Sequence, residues 1–353
     1  MERLAAASDA FVLPTVLQPL DLFVEIAGEE FRKRLFATEG ANGETLCLRP
    51  DFTIPVCLEH LNSGREGPAS YHYRGKIFRK HRMIGTPEFE QAGTEWIGHG
   101  DEFGTDAAVF ALAMECAAAV GLVPRTRLGD AHIFEALIEG LALPASWRER
   151  LKAAFGDQAR LDAALARLTA HDTADGIAAR LAPALASVEP EQARAIVDAV
   201  VELPQGATGR SAQDIAERIL EQAASKGADP QAASIIARFC EIEAPVDRAV
   251  DVLGEFAGEV GVELSAALED FARRADALAK NGIDTAALQF QARFGRRLNY
   301  YTGLVFDMVD PAAPGAEVIA GGRYDKLMAL LDPARATPAV GFSVWLDRIP
   351  GGV

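Results

Sequence analysis

The chain has 353 residues, of which 49% are hydrophobic and 24% are charged, a globular composition with room for two domains. Its formal net charge of −16 argues against general nucleic-acid binding, which needs a basic face, and against binding to an anionic membrane surface. The four cysteines, Cys47, Cys57, Cys116 and Cys240, form no CxxC pair, and no signal peptide or membrane span is visible. These features predict a protein of the reducing cytoplasm.

The first 130 residues alternate between helical and strand patterns. Helical apolar spacing lies over 22–36, from Pro50–Thr53 onward, and from Asp106 to Val120. Alternation typical of strands lies over 45–50, 71–79, 88–98 and 126–130. The two longest strands are joined by a short charged loop after Arg79, so we expect them to form an antiparallel pair.

Residues 131–260 have a different character, because alanine and leucine dominate and clean strand patterns disappear. Helix-start signals recur instead. Ser211 and Asp214 have the spacing of a capping box, and Asp229–Pro230 places proline at a first helical position. This segment is predicted to be an all-helical insertion.

From residue 261 the mixed pattern returns. The sequence predicts a helix closed by Asn281–Gly282, strands in ALQFQARFG and TGLVFDMV, a turn at Gly321–Gly322 that leads into a helix, and a final buried strand followed by a helix. We therefore predict an α+β fold with one discontinuous domain, 1–130 and 261–353, that carries the helical insertion 131–260.

Several predicted strands carry polar side chains at positions where apolar residues are usual. In the 88–98 strand, Phe89, Gln91, Gly93 and Glu95 share one face. The pattern alone favours an ordinary solvated acid at Glu95, and the same holds for Arg79. A functional interpretation would make this face a small polar site with an amide and a carboxylate around a glycine.

The pair Tyr300–Tyr301 is notable in a chain with only five tyrosines. Adjacent strand residues point in opposite directions, so at most one of the two is expected to face a given pocket. Ordinary packing is an equally good explanation. The six histidines lack HxH or HExxH spacing, and no phosphate-binding glycine loop or nucleophile elbow occurs, so neither a metal nor a cofactor is predicted.

Five segments, in order, resemble the histidyl-tRNA synthetase family: LRPDFTIPV, FRKHRMIGTPEFEQAGTEWIG, RRLNYYTGLVFD, AGGRYDKL and PAVGFSVWLDRI. The resemblance covers about 1–130 and 265–350. It implies the catalytic-domain fold of a class II aminoacyl-tRNA synthetase, which is an antiparallel sheet flanked by helices.

Departures from the synthetase pattern point to a paralogous family. The acid that helps to hold ATP two residues after the motif arginine is absent, because Lys80 and His81 follow Arg79, and the IGTP loop carries no arginine. The sequence ends at Val353, soon after the motif that ends in Arg348, so no anticodon-binding domain is expected. This combination resembles the regulatory subunits of ATP phosphoribosyltransferase.

By this resemblance the chain is expected to be non-catalytic, with no catalytic residues and no tRNA substrate. The implied partner is the short-form catalytic subunit of ATP phosphoribosyltransferase, in a complex of hexameric type or larger that contains a homodimer of this chain. The implied role is activation and histidine feedback of the first step of histidine biosynthesis. Two alternatives are a truncated ligase that adenylates an amino acid, and an interaction protein without a ligand.

The resemblance also implies a site for the effector histidine. Thr53 and Gln91 would accept hydrogen bonds from the ammonium group, with Asp51 standing where the family has glutamate. Arg296 matches the family arginine that meets the carboxylate, and Arg79 would lie nearby. A buried amino acid needs such complementary partners for each charged group.

The imidazole would be bound by Glu95 and by one tyrosine of the pair Tyr300 and Tyr301. We also hypothesise that histidine orders the turn at Gly321–Gly322 and the loop 82–87 and so transmits its effect to a partner.

Overall fold

A computed structural model describes residues 1–80, 86–169, 229–296, 300–313, 315 and 317–349. Helices lie at α1 Glu2–Ala6, α2 Leu20–Ala27, α3 Glu29–Arg32, α4 Thr53–Asn62, α5 Glu102–Ala119, α6 Ala131–Gly140, α7 Ala145–Ala154, α8 Gln158–Thr169, α9 Pro230–Cys240, α10 Val246–Val260, α11 Ser265–Lys280 and α12 Asp325–Leu331. Short 3-10 helices lie at Pro333–Arg335 and Leu346–Arg348.

The strands form two sheets. Their bounds are β1 Ala10–Phe11, β2 Leu17–Pro19, β3 Ala37–Glu39, β4 Thr45–Leu48, β5 Ala69–Phe78, β6 Glu88–Ile97, β7 Arg125–Asp130, β8 Glu243–Pro245, β9 Gln289–Gln291, β10 Leu304–Val309, β11 Glu317–Arg323 and β12 Ala339–Trp345. The larger sheet has the order β1-β5-β6-β12-β11-β10-β7-β9-β8, and the smaller has the order β2-β4-β3. All neighbours are antiparallel except the pairs β1–β5 and β7–β9.

Apolar side chains cover the large sheet in two clusters. The larger cluster includes Ala92 and Phe342 and joins the sheet to α5, α6 and the helices from α7 to α11. The smaller includes Phe89 and Trp345 and joins the sheet to α2, α4 and α12. Within each of β6 and β12 the members of the two clusters differ in parity, so the clusters lie on opposite faces of the sheet. The polar residues Gln91 and Glu95 share the parity of Phe89 and therefore lie on the face that α4 and α12 cover.

A buried ion network ties the helices to the sheet. Arg274 on α11 donates from Nε to Asp106 Oδ2 at 2.8 Å and from Nη1 to Asp130 Oδ2 at 2.7 Å. Arg323, at the end of β11, donates from Nε to Asp106 Oδ1 at 2.8 Å. All four side chains are at most 3% exposed. The network fixes the end of β11, where the next residue is Tyr324.

Most predicted elements are present, with local corrections. The helix predicted after the last strand is only the short 3-10 helix Leu346–Arg348. The helix predicted over 22–36 is broken at Gly28, whose φ of +85° favours glycine, so α2 and α3 are separate. The turn predicted at Gly321–Gly322 is wrong, because both glycines lie inside β11 and pair with β10 and β12. A methyl group at Gly321 would lie 2.2 Å from the Gly341 carbonyl oxygen, so the glycines serve close strand packing. A paired strand also gives histidine no turn to order there.

The segment 131–260 is not all helical. Glu243–Pro245 form β8, which pairs with β9 and extends the main sheet. A strand of three residues at a sheet edge leaves too short an alternation to be seen in an alanine-rich sequence. Asp229 caps α9 as predicted and accepts from the Ala232 amide at 2.8 Å, whereas the Ser211 cap lies outside the described residues. The division at residues 130 and 261 stays a prediction.

Within the described ranges, no helix has the length and apolar character needed to span a membrane. Nor does this part of the chain group three or more His, Cys, Asp or Glu side chains so that they could hold a metal ion. All four cysteines are free, and only Cys116 is not fully buried. This agrees with their interpretation as small apolar residues.

Candidate functional site

A cavity lies where the start of α4 meets β6, β11, β12 and the segment before β10. Its empty space is about 370 Å³ when the open mouth is included. The lining residues are Asp51, Thr53, Arg79, Gln91, Glu95, Arg296, Tyr300, Tyr301, Ala320, Gly321, Tyr324, Gly341, Phe342, Ser343 and Trp345. The structure thus brings all eight residues proposed from the sequence to one cavity.

Glu95 lines the cavity and is only 1% exposed. Thr53 Oγ1 donates to its Oε1 at 2.8 Å, and the Tyr73 hydroxyl donates to the same oxygen at 3.2 Å. The Tyr324 hydroxyl donates to Oε2. The interpretation of Glu95 as a solvated strand acid is therefore wrong. A carboxylate can accept about four hydrogen bonds, so these three donors leave it capacity for one more.

Burial raises the pKa of Glu95 to about 8, although the hydroxyls of Tyr324, Thr53 and Tyr73 act in the opposite direction. The negative charge of nearby Asp51 raises the pKa further. A cationic group that entered the cavity would lower this pKa, because it would favour the charged carboxylate. Glu95 is thus prepared to respond to a positively charged ligand.

Tyr73 and Tyr324 were not among the residues proposed from the sequence. Tyr73 could have been found from strand parity, because it pairs with Gly93, two residues before Glu95. A methyl group at Gly93 would lie 2.3 Å from the Tyr73 hydroxyl, and one at Gly341 would lie 1.9 Å from Glu95 Oε2. The two glycines therefore make room for the hydrogen bonds of Glu95.

Two buried acceptors in the cavity have no hydrogen-bond partner within the described structure. They are Oδ2 of Asp51, which is 5% exposed, and Oε1 of Gln91, which is 1% exposed. Burial also raises the pKa of Asp51, while the charge of Arg79 opposes the shift. The Arg79 side chain is held in place by a bond from its Nε to the Pro50 carbonyl at 2.6 Å. Unpaired buried acceptors are costly, and a ligand that donates hydrogen bonds would relieve them.

Arg296 and the two tyrosines lie together in the cavity lining. The Arg296 guanidinium lies 5.8 Å from the centre of the Tyr301 ring, and its buried Nε is without a hydrogen-bond partner in the described structure. Tyr300 and Tyr301 both line the cavity, with ring centres 4.9 Å apart. The expectation that at most one would do so is wrong, because these residues precede β10 and do not alternate as a strand.

A second cavity adjoins the first and shares Arg296 and Tyr301 with it. Its lining residues are Ala131, Phe134, Glu135, Lys152, Phe155, Gly295, Arg296, Tyr301 and Val305. Most of this lining comes from α6, from α7 and from the turn that follows α7. Helices α6 and α7 therefore line a cavity that adjoins the candidate site, and no local pattern in the sequence predicted this.

The pKa of Glu95 predicts a pH dependence of stability. The folded chain keeps this proton up to about pH 8, whereas the unfolded chain releases it near 4.5. The unfolded state therefore binds fewer protons between these values, and the free energy of unfolding falls as pH rises. In a Glu95→Gln variant this loss should be smaller by a few kcal/mol, on the order of the pKa shift. Urea unfolding at pH 5, 7 and 9 measures it, and parallel profiles would contradict the prediction.

The fold and the sequence place the chain among known proteins in two stages. The histidyl-tRNA synthetase family model matches residues 10–226 and 210–349. A Bacillus halodurans structure titled ATP phosphoribosyltransferase regulatory subunit/histidyl-tRNA synthetase has a TM-score of 0.64 at 19% identity, covering 98% of this chain and 75% of that one. A histidine–tRNA ligase subunit from Alicyclobacillus acidocaldarius has a TM-score of 0.60 at 24% identity, covering 99% and 88%. The fold is that of a histidyl-tRNA synthetase-like class II protein.

Relatives with higher sequence identity show which family within this fold the chain belongs to. The chain is 41% identical to the ATP phosphoribosyltransferase regulatory subunit of Agrobacterium fabrum, over 99% of this chain and 94% of the relative. It is also 41% identical to that of Mesorhizobium japonicum, over 98% and 94%. The chain belongs to the family of ATP phosphoribosyltransferase regulatory subunits.

Proposed function

We propose that the chain is a non-catalytic regulatory subunit whose cavity binds free histidine as the feedback effector of ATP phosphoribosyltransferase. The proposal rests on a set of buried polar atoms that lack hydrogen-bond partners within the described structure. Asp51 Oδ2 and Gln91 Oε1 are acceptors, and Arg296 Nε is a donor. An amino acid offers an ammonium, which would donate to the two acceptors, and a carboxylate, which would accept from the donor.

Histidine matches the cavity group by group. Its ammonium would donate to Asp51 and Gln91, its carboxylate would accept from Arg296, and its imidazole would reach Glu95. Because Glu95 already accepts three hydroxyl bonds and holds capacity for one more, a single imidazole N–H fits its remaining site. Tyr301 lies beside Arg296 and would contact the imidazole ring of the bound histidine.

The assembly that we propose follows the family. The partner is the short-form catalytic subunit, in a hetero-oligomer of hexameric type or larger that contains a homodimer of this chain. We infer no aminoacylation and no tRNA substrate, because Lys80 and His81 replace the acid that synthetases use to hold ATP. The free cysteines fit a cytoplasmic assembly. The first step of histidine biosynthesis would be the regulated reaction.

The direct test is reconstitution. The chain is mixed with a purified short-form catalytic subunit, and the rate of ATP phosphoribosyltransferase is measured with and without histidine. We expect the chain to raise the rate and histidine to reduce it, with a coupling of about 1–3 kcal/mol, or roughly 5–150-fold in affinity. An unchanged rate, or inhibition that is equally strong without this chain, would contradict the proposal.

A control addresses the alternative of an adenylating ligase. Purified chain is assayed for histidine-dependent exchange between ATP and pyrophosphate, with a complete histidyl-tRNA synthetase as the positive control. We expect no exchange above background. Robust exchange would identify an enzyme and overturn the non-catalytic assignment.

A further inference from the structure

The turn that follows α7 packs directly on the backbone of the cavity residue Arg296. Gly156 in this turn has a φ of +83°, and a methyl group added there would lie 2.4 Å from the Arg296 carbonyl oxygen and 2.6 Å from its nitrogen. A methyl group at Gly295 would in turn lie 2.7 Å from the Phe155 ring. The two backbones meet at a distance that only glycine permits.

The same short segment is held from its other side by the sheet. A methyl group at Gly129, in β7, would lie 1.9 Å from the Phe294 carbonyl oxygen. The Arg127 guanidinium lies over the Phe294 ring at 4.8 Å. Residues 294–296 are therefore clamped between β7 and the turn after α7.

Phe155 anchors this turn to the helices. Its ring stacks on Phe134 of α6 at 4.2 Å with an angle of 12° between the planes, and it is 8% exposed. A movement of α7 relative to the sheet would thus be carried by a packed contact to the backbone of Arg296. Densely packed contacts of this kind transmit displacement and do not absorb it.

We propose that Phe155 and Gly156 are positioning residues that hold Arg296 in the cavity, so that the helical segment beginning at α7 sets the affinity for the ligand's carboxylate. The inference rests on the proposed histidine site and extends it, because it links that site to α6 and α7. The ligand class is an amino acid, because Arg296 is the side chain that would bind the ligand's carboxylate.

The test compares Gly156→Ala with Gly261→Ala. Gly261 also has a positive φ, +68°, but a methyl group there would meet nothing within 4 Å. Both variants place alanine at a positive φ, and only the first puts a methyl group against Arg296. Calorimetric titration uses two ligands, histidine and histamine, which lacks the carboxylate.

Gly156→Ala should lower the affinity for histidine about tenfold or more, which is the effect of losing one charge-assisted hydrogen bond. The affinity for histamine should not change. Gly261→Ala should change neither. Equal weakening of both ligands, or no weakening, would overturn the proposal. Phe155→Leu, which loses the ring stack but keeps an apolar side chain, should show the same selectivity if Gly156→Ala fails to fold.

A second readout is independent of histidine. Modification of Arg296 by phenylglyoxal, followed by peptide mass spectrometry, should be faster in Gly156→Ala than in the wild type and unchanged in Gly261→Ala. Equal rates in all three proteins would overturn the positioning role, whether or not histidine binds. Failure of histidine to bind the wild type would reject the proposed function and leave this readout to decide the positioning role.

Discussion

Replacing Glu95 by alanine should weaken histidine binding by about 10–150-fold. A bound cationic histidine would favour the charged form of Glu95, and a hydrogen bond to a buried charged group contributes roughly 1.5–3 kcal/mol. The side chain is 1% exposed, so water cannot take its place without cost. The variant also leaves the hydroxyls of Thr53, Tyr73 and Tyr324 without their common acceptor. Isothermal titration of wild type and variant with histidine measures the difference.

The matched control is Glu90→Ala. Glu90 lies on the same strand with the opposite parity, and it forms a half-exposed ion pair with Arg74 at 2.8 Å. Its loss should leave histidine affinity unchanged, because pairs of this kind contribute little. Equal heats for wild type and Glu95→Ala would remove Glu95 from the site and with it the proposed imidazole contact.

Replacing Arg274 by methionine should produce the largest loss of stability, about 3–5 kcal/mol. Methionine keeps most of the apolar stem but removes the charge, so Asp130 and one oxygen of Asp106 are left buried without their ionic partner. Asp106 retains Arg323, which places the cost mainly on Asp130. The midpoint of thermal unfolding, followed by circular dichroism, reports the change.

Arg273→Met is the control for this experiment. Arg273 is the preceding residue on α11, its side chain is 67% exposed, and it lies 3.7 Å from Asp270. Its guanidinium also lies over the Phe103 ring at 4.3 Å, so its replacement should cost no more than about 1 kcal/mol. Similar losses in the two variants would mean that helix packing, and not the buried ion network, accounts for the effect of Arg274.

The sequence was sufficient for much of the candidate site. Strand parity placed Gln91 and Glu95 on one face, and the family segments supplied the eight proposed residues, all of which line the cavity. Prediction from the sequence failed where the local pattern and the tertiary packing conflict. Gly321 and Gly322 look like a turn, yet both pair with β10 and β12 inside β11, where neighbouring backbone leaves no room for a side chain.

The sequence by itself determined the α+β class, the family, the strand pair that carries Glu95 and the types of side chain in the cavity. These follow from local periodicity and from motifs that are continuous along the chain. Only the tertiary structure decided that Tyr324 bonds Glu95, that Tyr300 and Tyr301 face the same cavity, and that Gly156 touches Arg296. Tyr324 and Glu95, like Gly156 and Arg296, are far apart in sequence, and their distances depend on how helices and strands pack, which no local pattern encodes. The two adjacent tyrosines face one cavity because the backbone before β10 is not a strand.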